Sequence, residues 1–202
     1  DQPRSRGLGD VYKRQDKAWQ TCSCLGTWHY NRSAYEDNWY KSAETVIHML
    51  IDIVSKNGNL LLSVPMKGNG TIDDKEEKIL EDIAAWMEVN GEGIFDTRPW
   101  CIYGEGPSTE TAIPLDGAGF NEGKNAPYTS ADIRFVKKGK YLYAHIMKWP
   151  SDGKIQIKSL ATGSPYCKGE IEKVELLGGG KAKFRRTSVS YTHLTLPTIC
   201  SV

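Results

Sequence analysis

The fold class is decided by the stretch Ser55–Pro65, with the sequence SKNGNLLLSVP. Its leucines form an apolar run up to Val64 without polar alternation, which is typical of a strand that helices bury on both faces. Gly58 suits the end of a preceding helix, where a residue with positive φ is favoured. Pro65 has no N–H for a ladder, so the strand is expected to stop there. Helix, glycine, buried strand, turn and helix together predict part of a (β/α) barrel or of a doubly wound sheet.

Two amphipathic helices are predicted on either side of this strand. The first covers Ser42–Ser55, with Ser42 as its N-cap. The second begins with Asp73 and Glu76 in the spacing of a capping box and ends at Asn90-Gly91. Both carry an apolar stripe at helical spacing, which predicts one buried face on each. The stripes consist of Val46, Ile47, Leu50, Ile51 and Val54 in the first helix, and of Ile79, Leu80, Ile83, Ala84 and Met87 in the second.

The rest of the chain favours loops and short strands. Residues 17–38 lack helical spacing and are predicted to form a loop with one short strand. Residues 92–127 have no period and contain scattered glycine and proline, which is typical of a connector. A hairpin over 133–147 and short strands over 155–160 and 171–177 then predict part of an antiparallel sandwich. The pattern therefore indicates an α/β piece followed by a β piece.

Composition excludes some function classes and leaves others open. The net charge of +1, with acids and bases interspersed, predicts no nucleic-acid partner. No apolar run approaches the ~20 residues of a membrane helix, so no membrane partner is predicted. Six tryptophans and ten tyrosines suit either core packing or a sugar-binding cleft. Cys22-x-Cys24 near His29 lacks the four-ligand pattern of structural zinc, so buried free thiols rather than a metal site are expected.

Both ends of the chain differ in character from the segments beside them. Gly9–Gln15 (GDVYKRQ) and Ser190–Thr198 (SYTHLTLPT) resemble peptides translated from sequencing-adapter DNA. Residues 1–15 and 187–202 are therefore interpreted as non-native tails and left out of the fold argument. The natural termini are then expected to be missing, so the lack of a signal peptide has no meaning.

The remaining chain resembles the family 29 α-L-fucosidases in an ordered series of motifs that covers nearly all of residues 18–178. Each motif alone is weak, whereas the series is specific. The motifs are Trp19-Gln20-Thr21, Gly26–Tyr30 (GTWHY), Tyr40-Lys41-Ser42, Val54–Leu62 (VSKNGNLLL), Gly70–Asp73 (GTID), Trp86–Glu92 (WMEVNGE), Thr97–Trp100 (TRPW), Tyr103–Pro107 (YGEGP) and Trp149-Pro150.

This resemblance implies an α/β plus β fold: a partial (β/α)8-like barrel, represented by its last helix, strand and helix, followed by part of an antiparallel β-sandwich. Residues 16–106 would form the C-terminal part of the catalytic barrel, 107–127 a connector, and 128–186 the start of the C-terminal β-sandwich domain. Two helices and one buried strand cannot close a barrel of about 250 residues. We therefore expect exposed apolar surface, with aggregation or a molten state.

The resemblance implies a retaining exo-α-L-fucosidase that removes terminal α-L-fucose through a covalent intermediate on an Asp. Such a mechanism needs two carboxyl groups about 5 Å apart across the scissile bond. Placed on the family pattern, both lie before Trp19, so no catalytic residue is assigned and the chain alone is expected to be inactive. Glu36, Asp37, Glu92 and Glu105 are interpreted as capping or surface acids rather than substitutes.

One sugar contact is expected in the chain, at Trp28. The resemblance places Trp28 against the apolar side of fucose near its methyl group; the competing interpretation is a tryptophan that closes the barrel mouth. His29 and Tyr30 are expected near the site. Ser63 stands where many relatives have Asn, at a strand end facing substrate, and is expected to alter a supporting hydrogen bond. No cofactor is needed, the partner is a fucosylated glycan or oligosaccharide, and the family suggests a secreted or periplasmic location.

Two other hypotheses compete with the enzyme fragment. A non-catalytic carbohydrate-binding or structural module of the same ancestry would have lost the carboxylates, and only the upstream sequence distinguishes it. A complete small α/β domain is disfavoured, because the predicted elements cannot close a barrel.

Overall fold

The computed structural model describes residues 16–110, 126–188 and 192–195. A parallel strand pair with its helices comes first, and antiparallel sheets follow. In chain order the elements are β1 (Trp19–Cys24), α1 (Arg32–Glu36), α2 (Ala43–Ser55), β2 (Gly58–Ser63), α3 (Asp74–Asn90), a 3-10 turn (Gly91–Gly93), β3 (Arg98–Glu105), α4 (Pro107–Glu110), β4 (Ile133–Lys138), β5 (Tyr141–Ile146), β6 (Lys154–Gln156), a 3-10 turn (Lys158–Leu160), β7 (Glu175–Leu176), β8 (Gly180–Lys181), β9 (Lys183–Arg186) and β10 (Thr192–Thr195).

The predicted helix, strand and helix are confirmed. β1 and β2 pair in parallel, with Trp19 opposite Gly58 and Cys24 opposite Ser63, and α2 connects them. The Ser42 side chain caps α2 by accepting a hydrogen bond from the N–H of Thr45 at 3.1 Å. These helices begin where the sequence predicts because capping is a local interaction between residues close in the chain.

The structure corrects two expectations at β2. Asn57, not Gly58, takes the left-handed conformation, with φ of 73°. Gly58 is already part of the strand, where a Cβ would lie 2.6 Å from the Trp19 ring. The strand is also not buried on both faces, since Leu61 is 54% exposed. The described β1–β2 sheet has two strands, so part of its surface stays uncovered.

The antiparallel part begins earlier than the sequence indicated. β3 lies inside the predicted connector region 92–127 and pairs antiparallel with β4, which pairs with β5. Residues 98–105 thus form a strand of the antiparallel sheet. Pro99 and Gly104 flank a register shift in β3, which obscures its alternation in the sequence.

The last strands are shorter than predicted or lie elsewhere. Residues 155–160 form β6 and then a 3-10 turn, and only Glu175–Leu176 of 171–177 is a strand. β10 pairs with β6 and β9, although it lies inside the segment interpreted as a non-native tail. The origin of both tails stays a prediction, and residues 1–15 lie outside the described part of the chain.

Two hydrophobic clusters organise the molecule. One lies within the antiparallel part, around Ile133, Phe135, Ile155 and Ile157. The second joins the two parts, because Ile47 and Ile51 of α2 pack with Ile94 and with Met147, which follows β5. This second cluster attaches the helical layer to the antiparallel sheet. Among the described residues, no helix is long and apolar enough to cross a membrane.

Candidate functional site

The candidate site lies at the carboxyl edge of the β1–β2 sheet. Both strands run in the same direction, so Cys24 and Ser63 end at the same edge. The segments 25–42 and 64–73 leave the sheet there, and we call them the first loop and the second loop. The N–H of Leu25 donates to the carbonyl of Ser63 at 3.1 Å, which holds the start of the first loop against the end of β2. Parallel strands of α/β proteins bind ligands at this edge.

Trp28 lies in the first loop and is 47% exposed. The Thr27 hydroxyl donates to the carbonyl of His29 at 2.5 Å, which closes a tight turn around Trp28. Gly26 precedes this turn, and a Cβ there would lie 3.0 Å from the ring of Tyr40. The loop is therefore folded tightly on itself, with an aromatic face left accessible at its tip.

The other predicted site residues lie on the same edge. His29 is exposed, and Tyr30 is half-buried beside it. Ser63 is half-buried at the last position of β2. The structure therefore places Trp28, His29 and Tyr30 in one loop and Ser63 at the strand end where that loop is anchored. Their contacts with a sugar stay predictions.

Sequence reasoning missed the contacts that join the two loops. The Tyr40 hydroxyl, near the end of the first loop, donates to the Asp73 carboxylate at 2.6 Å. The ammonium of Lys75 donates to the carbonyl of Tyr35 at 2.5 Å and lies 4.5 Å from the centre of the Tyr35 ring. The capping-box spacing had singled out Asp73, but no local signal pairs it with a tyrosine 33 residues earlier.

Buried carboxyl groups dominate the electrostatics of this edge. Asp73 and Glu76 are each only 1% exposed. Burial raises the pKa of Glu76 to about 7, the negative charge of Asp73 acts in the same direction, and a hydrogen bond from the Asp73 backbone opposes both. Burial, followed by the hydrogen bond to Asp73, raises the pKa of Tyr40 as well, so its hydroxyl stays protonated.

The acids that the sequence set aside all have structural partners. Glu36 pairs with Arg32 at 2.8 Å on the surface of α1. Glu92 accepts a hydrogen bond from the Tyr143 hydroxyl at 2.6 Å. Glu105 accepts from the backbone N–H groups of residues 158 and 159, each at 2.8 Å. Asp37 is exposed at the C-cap of α1, where its backbone N–H donates to the carbonyl of Ser33. The carboxylate contacts support the interpretation of the three glutamates as structural acids, and the exposure of Asp37 agrees with a surface acid.

The cysteines differ partly from expectation. Cys24 is buried, and its thiol donates to the carbonyl of Gly26 at 3.3 Å, whereas Cys101 is exposed on β3. The expectation that the free thiols are buried is therefore wrong for Cys101. Within the described ranges, no group of three or more His, Cys, Asp or Glu side chains could hold a metal ion.

Comparison with known proteins places these observations in one family. The profile of alpha-L-fucosidase matches residues 7–92, and that of the alpha-L-fucosidase C-terminal domain matches residues 126–201. Both matches extend into the segments interpreted as tails. The plasma alpha-L-fucosidase of Rattus norvegicus is 31% identical over 166 residues, which are 81% of this chain and 30% of that protein. The Homo sapiens plasma enzyme is 29% identical over 165 residues, with the same coverage.

Solved structures give the same relationship at the level of the fold. The alpha-L-fucosynthase of Thermotoga maritima in complex with alpha-L-Fuc-(1-2)-beta-L-Fuc-N3 superposes with a TM-score of 0.68 at 25% identity. The superposition covers 91% of this chain and 36% of that one. The chain thus spans about a third of the length of the relatives that it matches.

Proposed function

The chain belongs to the alpha-L-fucosidase family, and we propose on this premise that its parent protein is a retaining exo-α-L-fucosidase that removes terminal α-L-fucose from glycans. In this proposal β1, α2, β2 and α3 are the last units of a (β/α)8-like barrel. The antiparallel part, beginning at β3, is the start of the C-terminal β-sandwich. The substrate is a fucosylated glycan or oligosaccharide.

The observation that carries the proposal is the position of Trp28. It is a half-exposed indole at the tip of a tightly folded loop, at the carboxyl edge of parallel strands. A large apolar face at this edge packs well against the C–H groups and the methyl group of a 6-deoxy sugar. Shape and apolar contact at Trp28 would then favour fucose over sugars with a polar group at that position.

The two catalytic carboxyl groups belong, in this proposal, to the part of the parent protein that precedes Trp19. A retaining mechanism places them about 5 Å apart, one attacking the anomeric carbon and one protonating the leaving oxygen. Glu36, Glu92 and Glu105 use their carboxylates in structural contacts, so none of them is assigned a catalytic role. The role of this chain is therefore to supply one wall of the sugar site and the domain that supports it.

The proposal is tested with the complete parent protein, obtained by sequencing upstream of the Lys17 codon. Trp28→Ala is expected to lower kcat/KM for an aryl α-L-fucoside by about tenfold, equivalent to roughly 1.4 kcal/mol of transition-state binding. Phe95→Ala is the matched control, since Phe95 is a 62% exposed aromatic residue beyond the far end of α3. Equal activities of the Trp28 variant and the parent would refute the role of Trp28. A parent without paired carboxylates or fucosidase activity would refute the enzyme assignment.

The 202-residue chain alone is expected to show no turnover of the same substrate. Hydrolysis above the buffer rate by the purified chain, retained through a second purification step, would show that catalytic groups lie within it.

A further inference from the structure

A buried pair of carboxyl groups lies where the two loops meet. Asp73 uses both oxygens: Oδ2 accepts from the Tyr40 hydroxyl at 2.6 Å, and Oδ1 accepts from the N–H of Glu76 at 2.8 Å. The charge, the backbone and the side chain of Asp73 all affect the pKa of Glu76. Its Oε2 is buried and has no hydrogen-bond partner among the described residues. The Tyr40 hydroxyl from the first loop and the Glu76 N–H from α3 therefore both donate to the Asp73 carboxylate.

The unpartnered Oε2 of Glu76 indicates which protonation state the buried pair favours. An ionised carboxylate only accepts hydrogen bonds, so two ionised groups here would repel each other and leave Oε2 unsatisfied. A protonated Glu76 has an O–H to donate to Asp73, which satisfies the orphan atom and removes one of two adjacent negative charges. Two carboxyl groups in contact commonly hold one proton between them.

We propose that Glu76 and Asp73 share one proton, and that this proton makes the junction between the first and second loops sensitive to pH. With the proton in place, the first turn of α3 contains a neutral Glu76. Asp73, just before the helix, then carries one negative charge and accepts the hydrogen bond from Tyr40. Loss of the proton puts two negative charges at the start of α3 and weakens the junction that positions the loop bearing Trp28. The proton sharing does not depend on the proposed function, whereas its effect on sugar binding rests on that function.

Burial has the largest effect on the pKa of Glu76, and the negative charge of Asp73 adds to it. Tyr40 remains neutral, because its pKa is raised by burial and by Asp73. Lys75 donates to the carbonyl of Tyr35, and Lys41 donates to the carbonyl of Cys24 at 2.7 Å. Asp73 is the charged group that acts on Glu76 within the described part of the chain. The pKa of Glu76, raised from 4.5 to about 7, agrees with a proton kept near neutral pH.

The sign of the pH effect follows from this shift. Between pH 4.5 and about 7 the folded chain holds a proton on Glu76 that the unfolded chain has lost. Stability from this group is therefore full below pH 4.5 and decreases as the pH rises to about 7. His145 acts in the opposite direction, because burial lowers its pKa from 6.5 to about 4. The two effects overlap in pH, so variants must be compared at each pH rather than across one curve.

The experiment measures the melting temperature of the unsubstituted 202-residue chain and of Glu76→Gln between pH 4.5 and 8. Near-UV circular dichroism first establishes that the chain is packed; if the chain is molten, the same comparison uses the complete parent protein. Glutamine keeps the shape and a donor but carries no titrating proton. As the pH rises through this range, we expect the melting temperature of the variant to rise by roughly 5 °C or more relative to that of the unsubstituted chain. Glu77→Gln is the matched control, because it makes the same substitution at the adjacent, exposed position, and it should not show this gain. If the melting temperatures of Glu76→Gln and of the unsubstituted chain differed by the same amount at every pH, the proposal would be overturned.

A second measurement keeps the test decisive if the variant does not fold. Carbon-13 NMR of the unsubstituted chain, with labelled glutamate carboxyl carbons, should show one glutamate that titrates near pH 7. Midpoints all between about 4 and 5 would overturn the proposal. Hydrogen exchange of the amides in the first loop, residues 25–42, is compared between the unsubstituted chain and Glu76→Gln at equal pH. Above pH 7 the exchange should be faster in the unsubstituted chain. None of these measurements uses sugar, so a failure of the proposed function at Trp28 leaves their outcome unaffected.

Discussion

At the residue scale, Gly58 shows how a single side-chain volume shapes the strand pair. The position carries no positive φ, so glycine is not needed there for its backbone freedom. It is needed for space, because a Cβ would lie 2.6 Å from the Trp19 ring and 2.7 Å from Ile53. The indole of Trp19 also donates to the carbonyl of Lys56 at 3.0 Å, which fixes the ring against the end of α2. The ring therefore has little room to move away.

We predict that Gly58→Ala destabilises the chain by about 1–3 kcal/mol, the usual cost of forcing extra volume into a packed site. The measurement is the free energy of unfolding from urea titration. Gly68→Ala is the control, because nothing lies within 4 Å of a Cβ at Gly68 and the substitution should leave stability almost unchanged. Equal stability of both variants would contradict the close approach of Trp19.

At the element scale, α2 shows how a helix is defined locally and then positioned by its neighbours. Its start depends on Ser42, which has extended backbone angles and caps the N–H of Thr45. Its buried residues Ile47 and Ile51 pack with Ile94 and Met147, with side chains of α3 beside them. The first feature could be predicted from spacing, whereas the second requires knowing what lies on each side.

We predict that Ser42→Ala lowers the free energy of unfolding by about 1 kcal/mol through loss of the N-cap hydrogen bond. Chemical denaturation followed by helical circular dichroism is the measurement. Ser33→Ala serves as the control, because Ser33 is exposed in α1 and α1 is capped by Asn31 instead. Retained stability in the Ser42 variant would show that packing alone defines the start of α2.

At the scale of the whole molecule, Asp52 of α2 joins the helical part to the antiparallel part. Its carboxylate pairs with Lys56 at 2.6 Å on the same helix and with Arg134 of β4 at 2.6 Å. The side chains of Lys56 and Arg134 are only 8% and 2% exposed. Burial acts to raise the pKa of Asp52, but the two cations lower it overall, so the carboxylate stays ionised. The Tyr103 ring lies against both cations.

We predict that Asp52→Asn costs about 3–5 kcal/mol, because it leaves two buried cations without their counter-ion. The loss should appear as a lower midpoint of urea unfolding and as earlier exposure of the interface between α2 and β4 in hydrogen exchange. Asp82→Asn is the control: Asp82 pairs with Lys78 at 2.7 Å on the exposed face of α3, where such a pair contributes little. Similar losses in both variants would show that Asp52 does not hold the two parts together.

The sequence by itself determined the elements whose causes are local. Each of these features lies within a short stretch of chain. They are the apolar stripe and the N-cap of α2, the Asp73–Glu76 capping spacing, the apolar strand before Pro65 and the family motifs. Their interactions form between residues a few positions apart, so spacing predicts them. The parallel pairing of β1 with β2, which forms the carboxyl edge beside Trp28, was not among these predictions.

Only the tertiary structure decided the contacts between distant residues. Three such contacts join residues at least 28 positions apart: the pairing of β3 with β4, the link of Tyr40 to Asp73 and the bridge from Asp52 to Arg134. No local spacing encodes such partners, because a residue's burial and charge state depend on what the folded chain brings beside it. Glu76 illustrates this: its place in a capping box could be predicted from the sequence, whereas its orphan oxygen and raised pKa arise from burial against Asp73.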